Sequence, residues 1–399
     1  MDTVHGIEPL IHAGVIVRSD IDEFEMVKNR YYSHFYAKDR LNLTLLPAEY
    51  CNLSCPYCFI YKYGGTKMSE SVVKRVLSFI KNRINSSRTD CFNLKINWYG
   101  GEPLLAQDVI VQIMEKVSNI STNGVKLFSS ITTNGVLLNA SLFRKLVSLG
   151  IRTYQITFDG GKSFHDKTRA FHDGKGSFDQ IIGNLKEIYQ TCSDLSYLFC
   201  IRINFLKSNY ESVKPLIDQL YGIFGSDSRY KIYCRPVYDF ETTRSCNKSV
   251  EGDVFSMHEG LIRQIQFEKY ISQNIPGLDK SFTAYFLPHT RCAWCFEDNA
   301  YSFLIGADGH VYKCDTLLGD SKYSIGSLSE DGTITENSSK IDWLTPVFEE
   351  KEFKKCRNCK LLPICFGGCR RMRFVEKRDE CYFSEEEIKE SITHYFLNY

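Results

Sequence analysis

The sequence predicts an α/β fold, a partial (β/α)6 barrel followed by a small cysteine-rich domain, on three observations. Short apolar runs alternate with amphipathic stretches from about residue 42 to 240, the pattern of repeated strand–helix units around a parallel sheet. Beyond residue 290 this periodicity weakens and eight cysteines crowd the final third, as in a domain organised by metal more than by an apolar core. With 399 residues and 43% hydrophobic content, the chain is long enough to bury a large core without staples.

The segments follow in order. Residues 1–43 form an N-terminal elaboration, too short to bury an independent core. Residues 44–250 hold the barrel, whose strands are LNLTLLP, FNLKINWYG, VKLFSSITTNG, TYQITFDG, YLFCIRINF and RYKIYCRPV. Between the first two, Ser69 is placed as an N-cap, and Val72, Val73, Val76, Leu77 and Ile80 share one helical face. Further helices are expected at about 106–119, 139–149, 177–191 and 209–223. Six such units make an open barrel, with chemistry at the C-terminal ends of the strands. Residues 251–290 bridge to the last domain with one helix, VFSMHEGLIRQIQFEKYISQ, and a turn-rich stretch holding Pro276, Gly277 and Pro288. Residues 291–399 are the cysteine-rich domain, ending in a helix announced by Ser384 and Glu387 at capping-box spacing.

Lys+Arg 49 against Asp+Glu 48 leave a net charge of +1, so no general field attracts nucleic acid or an anionic membrane. No run of about eighteen apolar residues occurs and the N-terminus lacks a signal-peptide pattern. The chain reads as cytosolic, a compartment in which sixteen cysteines favour metal ligation over disulfides. Cys91, Cys192, Cys200, Cys234 and Cys246 are scattered and read as small apolar residues.

Cys51, Cys55 and Cys58 stand in CNLSCPYC, directly after the first strand. Three thiolates on one short loop suit three irons of a cubane cluster and leave the fourth open; on spacing alone a closed zinc site is the rival. CNLSCPYC resembles the CxxxCxΦC signature of the radical S-adenosylmethionine (SAM) superfamily, with Tyr57 as the aromatic. Gly100, Gly101, Glu102 and Pro103 look like its GGEP motif, and ITTNG and ITFDG like its later strand ends. The resemblance implies a [4Fe–4S] cluster whose open iron is chelated by SAM, reductive cleavage to a 5′-deoxyadenosyl radical, and an electron donor such as flavodoxin or ferredoxin. It assigns Gly100 and Gly101 to close approach of the methionine moiety, Glu102 to the ammonium, Tyr57 to the adenine, Thr157 to the ribose and Arg202 to the SAM carboxylate. The pattern of His165, Arg169 and Phe178 also resembles the family and reads as loop architecture after the fourth strand, with His165 no metal ligand. Strand-end turns and ordinary barrel-mouth residues remain the alternative for GGEP, Thr157 and Arg202.

Cys314, Cys356-x2-Cys359-x5-Cys365-x3-Cys369 and Cys381 look like the SPASM domain, a C-terminal module holding two auxiliary [4Fe–4S] clusters. That likeness assigns Cys356, Cys359, Cys365 and Cys381 to one cluster, and Cys292, Cys295, Cys314 and Cys369 to the other. SPASM enzymes modify peptides or proteins. LLPICFGGC resembles the maturases of ribosomally made precursor peptides, which install cross-links or other oxidative changes. The alternative is the anaerobic sulfatase-maturating enzyme, which makes formylglycine and places an Asp after the cysteine that here is Cys314; Asp315 fits and would act as general base, against a plain turn residue. A third reading is a non-catalytic iron–sulfur electron-transfer protein. Residues 1–43 are shorter than the winged-helix peptide-recognition domain of some peptide maturases, so leader recognition is expected on another surface or a separate protein.

Overall fold

The computed structural model describes residues 18–60, 65–87, 89–120, 124–238, 250, 252–275, 292–293, 295, 298–337, 343–377, 381 and 384–396. Cys246 and the stretch with Pro276, Gly277 and Pro288 lie outside them.

Six parallel strands form where the alternation places them: β1 (Arg40–Ala48), β2 (Phe92–Gly100), β3 (Val125–Thr133), β4 (Ile151–Phe158), β5 (Leu198–Phe205) and β6 (Tyr230–Pro236). They pair in that order with parallel register throughout. The connecting helices are α2 (Glu70–Ser86), α3 (Gln107–Ile120), α4 (Ala140–Ser148), α6 (Phe178–Thr191) and α7 (Val213–Phe224). Ser69 caps α2 by accepting from the Val72 amide, and Asn139 caps α4 in the same way through Leu142; each bond satisfies an amide the helix itself leaves open. One face of every strand, including Leu41, Leu43 and Leu45 of β1 and Phe199, Ile201 and Ile203 of β5, is buried under these helices. The alternate positions, among them Asn97, Tyr99, Ser130, Gln155, Thr157, Arg202, Asn204, Tyr233 and Arg235, therefore line the opposite, concave face. That face is polar and bonded across strands, with Ser130 donating to Asn97 at 2.6 Å and Tyr233 to Gln155 at 2.7 Å.

The sheet is not closed and does not end at β1. A ten-stranded sheet runs β10-β9-β8-β7-β1-β2-β3-β4-β5-β6, where β7 (Ser302–Ile305), β8 (His310–Tyr312), β9 (Gly326–Leu328) and β10 (Ile334–Glu336) come from the C-terminal region. β7 pairs parallel to β1, and β7 to β10 are mutually antiparallel. α2 ties this extension to the barrel: Arg75 donates to the Leu328 carbonyl at 2.8 Å and Asn82 to the Asp331 carbonyl at 2.7 Å. The stretch 162–168, read from sequence as loop, contains the short helix α5 (Lys162–Thr168).

The N-terminal segment contributes α1 (Glu23–Phe35), which does not pack as a separate unit. Val27, Tyr31 and Phe35 are buried with Val347, Phe353, Leu362 and Phe366 of the C-terminal region. At the other end of the sheet, α8 (Met257–Asn274) starts with a capping box of Ser256 and Glu259 and packs on β6, where Glu268 accepts from the Cys234 amide at 3.2 Å. The Ser384–Glu387 box is likewise formed, at 2.7 and 3.1 Å, and opens α11 (Glu385–Phe396).

Glu268 is 3% exposed, and burial pushes its carboxyl up to about 8. The folded state therefore holds a proton that the unfolded chain releases near its ordinary value of 4.5, so the stabilisation is complete below that pH and is lost as pH rises towards 8. Glu268→Gln, a neutral isostere, is expected to remove roughly 3 kcal/mol of this decline between pH 5 and 8. Denaturant melts of wild type and variant across that range check it; parallel pH profiles would refute it.

Candidate active site

The loop after β1 carries Cys51, Cys55 and Cys58 and is held from both sides. On the β2 side, the Gly101 amide donates to the Ala48 carbonyl at 3.1 Å and the Glu102 amide to the Tyr50 carbonyl at 2.9 Å. The fit is tight: a Cβ on Gly101 would stand 2.2 Å from the Tyr50 oxygen, and one on Gly100, at φ 123°, 2.4 Å from the Ala48 oxygen. Both glycines are thus required by the approach of the cysteine loop itself, a reason separate from the methionine approach expected from sequence. On the other side, the Ser54 amide donates to the Ala170 carbonyl at 2.9 Å, and His172 Nε2 lies 2.8 Å from the Cys51 carbonyl, a contact in which Nε2 carries the proton. The Cys51 sulfur accepts from the Leu53 amide at 3.4 Å.

Glu102 is fully buried. One oxygen accepts from the Leu104 amide at 3.0 Å and Thr133 Oγ1 at 2.6 Å, the other from the Asn134 amide at 2.7 Å. Burial pushes the carboxyl up, opposed by these donors. The carboxylate therefore clips the end of β2 to the end of β3, and of its roughly four acceptor positions about one remains for an ammonium. Asn134, fixed by this clip, points its amide at Asn52 Oδ1, 2.7 Å away, and at the Cys51 sulfur, 3.8 Å away.

The Tyr57 hydroxyl is bound into a polar network. It donates to Asp159, whose oxygens lie 2.7 and 2.6 Å away, and accepts from Arg169 Nη1 at 2.9 Å and Asn204 Nδ2 at 3.2 Å. Thr168 also donates to Asp159, at 2.7 Å. Burial, then the Asp159 charge, raises the phenol well above its ordinary value, so it stays a donor. His165, within α5, is fully buried between the Asp159 amide and Ser177, at 3.4 and 3.1 Å, and burial lowers it. The sequence marks Arg169 only as loop architecture and gives Asp159 no role. Arg169 is 8% exposed, yet its Nε is buried without a hydrogen-bond partner, a donor suited to a bound carboxylate.

Thr157 and Arg202 are register neighbours on β4 and β5. Arg202 Nε donates to Asn204 at 2.8 Å, joining Arg202 to the Tyr57 network. Asp315 opens a short turn of helix, residues Asp315–Leu317, after Cys314. Burial pushes its carboxyl up, with the Arg371 and Arg202 guanidiniums acting against that, and its charge together with burial raises the Tyr99 phenol. Asp315 is thus coupled through its charge to Tyr99 and Arg202 of the concave wall.

Three sets of cysteines interact within themselves. Burial pushes Cys51 up to about 12, with Glu102, Cys55 and Cys58 adding to it. Burial pushes Cys365 up to about 11, and Cys356, Cys359 and Cys381 add to it. Cys314 is raised by burial, then by Asp315 and Cys369. Cys292 and Cys295 are exposed. Among the described residues no three Cys, His, Asp or Glu side chains close around a single ion; thiolates of a cubane bind separate irons and stand farther apart. Mutually repelling buried thiols that need a cation to ionise fit such a group.

Residues 45–220 match the model of the radical SAM superfamily. Over 353 residues the chain is 26% identical to the cysteine-type anaerobic sulfatase-maturating enzyme of Clostridium novyi, covering 83% of this chain and 88% of that protein. The fold is similar to native anSMEcpe with bound AdoMet, at TM-score 0.61 and 18% identity over 89% of this chain and 96% of that one. It is also similar to Streptococcus suis SuiB bound to precursor peptide SuiA, at TM-score 0.59 and 17% identity over 93% and 82%. An unclosed parallel barrel, a three-cysteine loop at its mouth and the matched family model lead to one conclusion: residues 45–220 of this chain are a radical SAM domain, and the chain is an enzyme.

Proposed function

We propose that the chain is a maturase that oxidises a residue of a peptide or protein, cross-linking or otherwise modifying a ribosomally made precursor peptide. The observation that carries the oxidation is Asp315, a carboxylate on the residue after Cys314 whose charge is coupled to Tyr99 and Arg202 of the concave wall; the likeness of LLPICFGGC to precursor-peptide maturases directs it to such a peptide. When bound, the cluster held by Cys51, Cys55 and Cys58 and its SAM supply a hydrogen-atom acceptor. The chain's own residues do the rest. Arg169 and the remaining acceptor of Glu102 hold the carboxylate and ammonium of SAM. Gly100 and Gly101 seat the cysteine loop, and the Tyr57–Asp159–Asn204 network keeps the mouth rigid. Asp315 takes the proton released as the substrate carbon gives up its second electron, so that two electrons and two hydrogens leave the substrate in all. The two C-terminal cysteine sets would hold auxiliary clusters, which would supply an acceptor for that second electron, and a flavodoxin or ferredoxin would supply the first reduction.

Formylglycine formation on a sulfatase is the second reading, favoured by the 26% identity over most of the chain and by Asp315 itself. Anaerobic turnover with a sulfatase-derived Cys or Ser peptide and with candidate precursor peptides, read by mass spectrometry and fragment mapping, separates the two. An aldehyde at the Cys or Ser selects the second reading; a two-hydrogen loss mapped to a new bond in a precursor peptide selects the first. 5′-Deoxyadenosine release coupled to neither peptide oxidation would overturn both. No helix among the described residues is long and apolar enough to cross a membrane.

A further inference from the structure

Between the two C-terminal cysteine sets lies a buried chain of alternating charge. Arg370 directly follows Cys369, just past the short helix α9 (Leu362–Cys365), and opens the short helix α10 (Arg370–Phe374). Its Nη2 is 3.3 Å from Asp298 and 3.2 Å from Glu350, and the Arg370 fork also donates to the carbonyls of Trp343 at 3.0 Å and Thr345 at 2.5 Å. Asp298 belongs to the turn begun by Cys295, whose carbonyl accepts from the Asp298 amide at 3.0 Å. The Asp298–Arg370 pair therefore joins the Cys295 turn to Cys369. One helical turn on, Arg373 pairs with the other oxygen of Glu350, just before the segment that bears Cys356. Tyr31 of α1 donates to Asp298 at 3.0 Å.

The four charged side chains are between 3% and 12% exposed. Burying two guanidiniums and two carboxylates is costly and on its own a poor route to stability, so the chain asks for another use. Two observations point to the cysteines. First, Arg370 is the residue after Cys369, and its ion pair with Asp298 reaches the residue whose amide is bonded to the Cys295 carbonyl. Second, Arg370 Nε and both Arg373 Nε and Nη2 are buried without hydrogen-bond partners, and buried donors call for acceptors. Positive charge and N–H donors near an iron–sulfur cluster raise its reduction potential.

We propose that Arg370 and Arg373, held in place by Asp298 and Glu350, form a fixed-charge bridge between the two cysteine sets and set the reduction potentials of the clusters those sets hold. The inference rests on the auxiliary-cluster reading above. Arg370 acts on the set with Cys295 and Cys369, Arg373 on the set with Cys356, and Glu350 links the two, so they are positioning residues and not catalytic ones.

The test is EPR-monitored potentiometry on the full chain, anaerobically reconstituted, without SAM or peptide, with iron and sulfide counted. Cys356→Ala identifies the signal of its set. Arg373→Gln is expected to move that signal's midpoint to more negative potential by a tenfold change in its reduction equilibrium, 59 mV for one electron, with iron content unchanged. Arg373→Lys should retain most of the wild-type value, and Glu350→Gln should move it the other way. Should Arg373→Gln fail to load iron, Glu350→Gln decides: an unshifted midpoint there overturns the inference. A full iron complement with unshifted potentials in all variants overturns the charge bridge alone; a wild type holding only about four irons overturns the auxiliary-cluster reading, and the bridge with it.

Discussion

Replacing Cys51, Cys55 or Cys58 with Ala is expected to abolish 5′-deoxyadenosine formation and to lower the iron content by about four, leaving the C-terminal sets loaded. The expectation follows from how the loop is built. Its backbone is held by Gly101, Glu102, Ala170 and His172, none of which depends on a thiol, so each variant should keep the loop and lose only a ligand. Loss of one thiolate leaves only two irons anchored, and a site so depleted does not retain a cubane. Iron analysis and chromatographic detection of 5′-deoxyadenosine after dithionite reduction check the result. Reductive SAM cleavage at the wild-type rate in any of the three would reject the central assignment.

Asp315→Asn is expected to leave SAM cleavage intact and to slow product formation by about 10²–10⁴-fold, the usual contribution of a positioned base. Asn keeps the size and the helical-turn position of Asp315 but cannot take a proton. The pH dependence carries a sign. Burial holds the Asp315 carboxyl above its ordinary value of 3.8, so the base is lost as pH falls through that raised value, and wild-type product formation should decline on the acid side while SAM cleavage does not follow it. The variant should lack this inflection. Full product formation by Asp315→Asn, or an acid limb shared by both measurements, would remove Asp315 from the proposed role.

The barrel strands were legible because both faces of a strand report on burial. Leu41, Leu43 and Leu45 alternate with Asn42 and Thr44, and Phe199, Ile201 and Ile203 with Cys200 and Arg202, so period two reveals strand and face together. Helix starts were legible through Ser69 and the Ser384–Glu387 box because caps are local bonds. β7 was not: SFLI is buried at all four positions, a run too short and too uniform to separate strand from helix, and nothing local says that it pairs with β1. α1 was missed as a partner of the C-terminal region for the same reason, since Tyr31 and Val347 are 316 residues apart and meet at 3.0 Å only in the fold.

What the sequence by itself determined is the chemistry on offer. Thiol spacing, the glycine pair and the acidic residue after Cys314 are covalent facts, and they point to a cluster-bearing barrel whatever its detailed packing. The tertiary structure decided what each polar group is bonded to. Glu102 is mostly consumed in joining β2 to β3, Tyr57 is locked to Asp159, and Arg169, which the sequence marks only as loop architecture, buries an unpartnered Nε. The physical reason is that a buried polar atom must find a partner or bear the desolvation penalty. Those partners come from strands and loops tens to hundreds of residues away, so no local pattern can name them.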